Sequence, residues 1–178
     1  ARRGDADEAA SQLAQARAQP VDGWHQTILY ATSADVHLAL GNWAEAADAA
    51  ELGWNSAAEA SALWAARFAM FSVTATVERT LDELARREPG DVAQTVAQLR
   101  QRIDTARALA DRSGKTHSRD VAAQLAQAEA GLTRLGESDA DAWAEATARA
   151  SDLGDRWATA RAQVREAEAA AAIGAADR

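Results

Sequence analysis

Between Gly41 and Gly53 the chain reads Gly-Asn-Trp-Ala-Glu-Ala-Ala-Asp-Ala-Ala-Glu-Leu-Gly. Trp43, Ala46, Ala47, Ala50 and Trp54 fall at i, i+3, i+4, i+7 and i+11, one face of a helix. Glu45, Asp48 and Glu51 fall on the opposite face. The tetrapeptide Trp-Ala-Glu-Ala returns at 143–146, and Trp143, Ala146, Ala150 and Leu153 repeat the stripe. The pattern predicts two helices with the same buried face, each closed by a glycine in the left-handed conformation, Gly53 and Gly154.

Extended along the chain, the same reading predicts helices at 5–18, 22–40, 42–54, 56–76, 77–88, 91–112, 118–135, 139–153 and 155–173. The break near 76 rests on Thr74 and Thr76, which either end a helix or only bend it. Asp5 with Glu8 and Ser56 with Glu59 have capping-box spacing. Pro89-Gly90-Asp91 predicts a turn and a cap, Ser113-Gly114 a helix end, and Ser118 the next start. Short connections make consecutive helices antiparallel neighbours.

Composition strengthens the helical reading. About 50 of the residues are alanine, and Leu, Arg, Glu, Gln and Asp supply much of the rest, mostly good helix formers. Strand formers are sparse, with one Tyr and two Phe. The expected fold is all-α, a single helical domain over 1–178. The formal charge is −8, and the basic residues alternate with acidic ones, so no basic stripe suited to direct nucleic-acid contact is visible. No apolar run approaches the 18 residues of a membrane span, and no signal-peptide pattern is present. Cysteine is absent, which removes disulfide and thiol chemistry.

Gly4 and Ala9 match Gly41 and Ala46 at a shift of 37, and Gly136 and Gly174 lie 38 apart. A helix-turn-helix unit of this length marks a helical solenoid. Ala34, Leu40, Gly41, Trp43, Ala46, Ala50 and Gly53 resemble the tetratricopeptide repeat, with Gly4, Ala9, Leu13 and Ala16 as a partial first unit. His37 stands where an aromatic is usual, and the closing proline is missing. Residues 65–117 carry no repeat phrase, so longer, irregular helices are expected across about 56–117. One hundred residues between the two Trp-Ala-Glu-Ala helices suggests second helices three units apart.

The Ala- and Trp-rich style of "LGNWAEAADAAELGW" and "ASDLGDRWATARAQVREAEAAAAIGAADR" resembles the C-terminal helical region of large ATP-binding LuxR-type transcriptional regulators of actinobacteria. The resemblance implies a right-handed superhelical array of about eight to nine helices. It also implies a cytoplasmic location, a nucleotide-binding module upstream and a DNA-binding helix-turn-helix downstream. The chain opens on alanine and reads as a fragment of something longer. Its terminal stripes (Ala9, Leu13 and Ala16; Trp157, Ala160, Val164, Ala167 and Ala171) are then expected to lie exposed or to meet a neighbouring molecule, with self-association as a consequence. The last residues, from Gly174, are expected to begin a turn.

Candidate chemistry is thin. Ser113-Gly-Lys-Thr116 has the ending of a phosphate-binding loop, but Leu109 stands where that loop requires glycine, and a helix precedes it. His25, His37 and His117 lack ligand spacing, so neither a metal nor a cofactor is expected. No catalytic set has local support. Trp54, Trp64 and Phe68 flank an inter-helix connection and form a candidate aromatic pocket for a peptide or a small apolar effector. The repeat register places Ile28, Asp35, Arg161 and Glu168 toward a groove lined by each unit's first helix. Gly41, Trp43, Ala46, Trp143 and Ala146 are structural repeat positions. The expected function is a non-enzymatic protein-interaction or effector-sensing segment of a transcriptional regulator. The alternatives are a passive spacer between an ATPase module and a DNA-binding module, or an adaptor unrelated to transcription.

Overall fold

A computed structural model describes residues 6–17, 22–57, 61–88, 90–115 and 118–176. They form eight α-helices: α1 (Ala6–Arg17), α2 (Gly23–Leu40), α3 (Trp43–Ala57), α4 (Ala62–Ala85), α5 (Val92–Arg112), α6 (Arg119–Thr133), α7 (Ala140–Asp152) and α8 (Arg156–Ala176). No strand occurs among the described residues. None of their helices is long and apolar enough to cross a membrane.

Local signals set the ends. Asp22 caps α2 by accepting the backbone N–H of His25 at 3.0 Å, a bond that holds its carboxyl below the usual aspartate range. Asp91 caps α5 through Gln94 N–H at 2.8 Å, and Asp139 caps α7. At the C-terminal ends, Gly41, Gly114 and Gly154 take positive φ, as three of the expected turns require. The Ser56 cap does not form. Ser56 lies inside α3 and donates to the Gly53 carbonyl, while Glu59 falls outside the described residues, as do Asp5 and Pro89.

The helices pack as two rows. α2, α4 and α6 lie side by side. α3 packs on both α2 and α4, α5 on α4 and α6, and α7 on α6 and α8, while α1 rests on α2. Most of the core lies where α4 meets α3, α5 and α6, with Phe68, Phe71, Val73 and Val77 fully enclosed. A smaller core joins α6, α7 and α8, where Trp143 is surrounded by Ala130, Ala146, Ala162 and Ala169. The shared stripe is buried in both copies, since Ala46, Ala50, Ala146 and Ala150 are inaccessible. Trp143 is buried as well, whereas Trp43 is half-buried at the start of α3.

Several expectations are corrected by this packing. Residues 62–85 form one helix, with no break at 76, because Thr74 donates to the Met70 carbonyl four residues back and the ladder continues. Gly53 does not end a helix. It lies within α3, where a Cβ would come within 2.0 Å of the Phe68 ring, so glycine is needed for α3 to approach α4. The first-row helices start at residues 23, 62, 119 and 156, so the α4–α5 unit is far longer than its neighbours. Three helices, α4, α5 and α6, stand between α3 and α7, fewer than the five that a separation of three helix pairs requires. Long α4 and α5, the irregular stretch expected from the missing repeat phrase, fill the distance.

At the ends, Leu13 is buried rather than exposed, because α1 lays it toward α2. Ala16 is exposed and Ala9 half-buried. Trp157, Ala160, Val164, Ala167 and Ala171 are all exposed along α8. Gly174 continues α8 instead of opening a turn, in keeping with the alanine run around it.

Candidate functional site

α4, α6 and α8 are drawn together by polar side chains. Glu78 on α4 accepts from Arg134 on α6 at 2.5 Å and from Arg165 on α8 at 2.6 Å. Arg165 also pairs with Glu168, one turn along its own helix, at 2.7 Å. Long side chains thus tie α8 back to the first row. Glu78→Gln should lower stability by about 2 kcal/mol, since hydrogen bonds to charged groups contribute about 1.5–3 kcal/mol. Chemical denaturation checks this. A neutral result would mean that solvent already screens both pairs.

Arg161, also on α8, has a different environment. Its Nη2 donates to Gln127 Oε1 at 3.1 Å and lies 3.8 Å from Met70 Sδ. Both are neutral. Burial lowers its pKa, Asp35 and Asp155 raise it, Arg165 lowers it, and Glu78 raises it. A guanidinium still keeps its charge at any ordinary pH. Thr74, Val77, Glu78, Gln127, Gly131, Arg134, Trp143, Arg161, Ala162 and Arg165 enclose a cavity of about 40 Å³. The lining carries three guanidinium groups against the single carboxylate of Glu78, inside a chain whose net charge is −8. The indole Nε1–H of Trp143 is buried and has no acceptor among the described residues.

No protein-family model, no curated protein and no solved structure matches this chain.

Of the four groove residues expected from the repeat register, Arg161 lines the cavity and Glu168 reaches its rim through Arg165. Asp35 pairs with Arg67 of α4 at 3.0 Å on the same first row, and its charge acts on Arg161. Ile28 lies apart, in an open apolar groove of about 530 Å³ between α1 and α2 that also includes Leu13, His25 and Val36.

Two of the three candidate pocket aromatics are in ring contact. Phe68 is fully buried, and Trp64 stacks on it with ring centres 5.8 Å apart. Trp24 meets Trp64 edge-on, and the Arg67 guanidinium lies 5.7 Å from the Trp64 ring. Trp54 lies elsewhere, under the Arg102 guanidinium at 4.9 Å. Trp64 and Phe68 are therefore in contact with each other, while Trp54 is in contact with Arg102.

Sequence reasoning missed Glu78, Gln127 and Arg134, and it gave Trp143 a packing role alone. One signal was present. Glu78 directly follows Val77 on a helix whose preceding turns are nearly all buried, a place where charge needs a partner. The other chemistry expected to be absent changes little. Ser113 and Gly114 close α5, with Lys115 N–H on the Ala110 carbonyl, and Thr116 and His117 lie outside the described residues. His25 is engaged with Asp22 at 2.7 Å. No group of three His, Asp or Glu side chains among the described residues is arranged to hold a metal ion.

Proposed function

We propose that this chain is a non-enzymatic, effector-sensing or protein-binding segment of a cytoplasmic transcriptional regulator, with its binding face on the row formed by α2, α4, α6 and α8. The supporting observation is the cation-rich cavity on that row, where Arg161 makes its hydrogen bonds to neutral acceptors, with Asp35, Asp155 and Glu78 acting on it from beyond ion-pair distance, and where the Trp143 indole N–H has no acceptor among the described residues. A fold held together only for spacing gains little from a partly buried cation with no carboxylate in direct contact, because removing charge from water is costly. The face suits a polar ligand better than the apolar effector suggested by the tryptophans.

A second reading, a passive spacer between modules, draws support from the Glu78 network, which clasps α4, α6 and α8 with no ligand needed. The coding sequence on either side of these 178 residues tests the regulatory setting. A nucleotide-binding motif on the N-terminal side and a helix-turn-helix on the C-terminal side would support it. Flanks of unrelated type would leave an adaptor outside transcription.

A further inference from the structure

Arg134 and Arg165 are neutralised by Glu78 and Glu168. Arg161 is the guanidinium of this cavity whose hydrogen bonds go to uncharged acceptors, Gln127 and Met70. Trp143, across the same cavity, holds a buried N–H without an acceptor. Two donors on different helices, one cationic and one neutral, therefore belong to residues that line one small space. A methionine or glutamine at 161 would fill similar volume without a desolvated charge, and Asp35, Asp155 and Glu78 act on the arginine only from beyond ion-pair distance, so a negative group in direct contact would offset the cost of its burial. An oxyanion satisfies both donors at once, because a carboxylate or phosphate oxygen accepts charge-assisted bonds from arginine and ordinary ones from an indole.

We propose that the cavity between α4, α6 and α8 binds the oxyanion head, carboxylate or phosphate, of a small effector, with Arg161 as its ion partner and the Trp143 indole N–H as a second donor. The inference rests on the reading of this row as the binding face, and it names the ligand's chemistry. Size limits the rest. A cavity of about 10–15 Å³ holds one water, so about 40 Å³ admits a small head group while the body of the ligand stays outside. Asp35 and Asp155 act on Arg161 and disfavour a second negative charge close by. A monoanion on a neutral body fits better than a dianion. α8 would then be fixed to α4 and α6 most firmly when the effector is present.

Thermal unfolding of the 178-residue chain tests this at constant ionic strength, with sodium propionate or inorganic phosphate replacing chloride. Wild type should show a saturable rise of roughly 3–5 °C at ten times the dissociation constant. A response to propionate alone identifies carboxylate chemistry, and a response to phosphate alone identifies phosphate. Arg161→Met should keep or raise the anion-free midpoint and lose the response, while Arg149→Met on the exposed side of α7 should retain it. If Arg161→Met does not fold, the Trp143 indole proton in wild type gives the answer, since its amide-type NMR resonance should move as the acceptor arrives. No response beyond the chloride control, an equal response in Arg161→Met, or an indole resonance that stays fixed at saturation would overturn the proposal. Failure here leaves the regulatory setting intact, because the flanking sequence tests that separately.

Discussion

Trp143→Ala is expected to lower the unfolding free energy by about 3–5 kcal/mol, the usual cost of emptying an aromatic core site. The second core explains why the upper part of that range applies. Its other buried members are Ala130, Ala146, Ala162 and Ala169, whose methyl groups cannot extend into the space left behind. α8 would lose the one bulky contact that joins it to α6 and α7. Trp43→Ala should cost roughly half as much, because Trp43 is only half-buried and borders the large α4-centred core. Urea titrations of the two variants provide the check. Equal losses would restore full equivalence of the two Trp-Ala-Glu-Ala helices. A near-neutral Trp143→Ala would mean that α8 is held by the polar network and not by this core.

The second large effect is at the contact between α3 and α4. Phe68→Ala should also cost about 3–5 kcal/mol, as the ring is fully enclosed and touches Trp64 and Phe71. Gly53→Ala should destabilise by about 1–3 kcal/mol although alanine favours helix, because overpacking against a ring with nowhere to move outweighs propensity. The added methyl would lie 2.0 Å from that ring. The two changes should then couple. In the Phe68→Ala background, Gly53→Ala should become neutral or stabilising, since the clash is gone and only the helix preference remains. Additive losses in a double-mutant cycle would show that Gly53 serves some other purpose.

These two sites also show where sequence is a sufficient guide and where it is not. The Ala46 and Ala146 stripes, the caps at Asp22 and Asp91, and the turns at Gly41, Gly114 and Gly154 depend on residues within a turn or two, and local chemistry determines them. Gly53 looks locally identical to a helix-ending glycine. Its role depends on Phe68, fifteen residues and another helix away, which no local pattern encodes. The unit count failed for a related reason. A separation of one hundred residues fits three short units or two with long helices, and only the packing of α4 against four neighbours separates them. The candidate site was half legible. The repeat register named Arg161 and Glu168, but Glu78, Gln127 and Arg134 come together only when three helices meet. For the tryptophans, bulk near a connection looks the same in sequence whether it lines a cavity or fills one.

If α8 belongs to a binding face shared with α4 and α6, an anion at Arg161 completes that face. Amide hydrogen exchange of the chain with and without saturating propionate or phosphate tests this directly. Under whichever anion raises the melting temperature, protection should increase in α8 around Ala158–Arg165 and in the facing turns of α4 and α6, near Glu78 and Gln127, with α1 and α2 unchanged. Protection that rises uniformly, or only along the α1–α2 groove, would contradict the claim and place the binding face elsewhere.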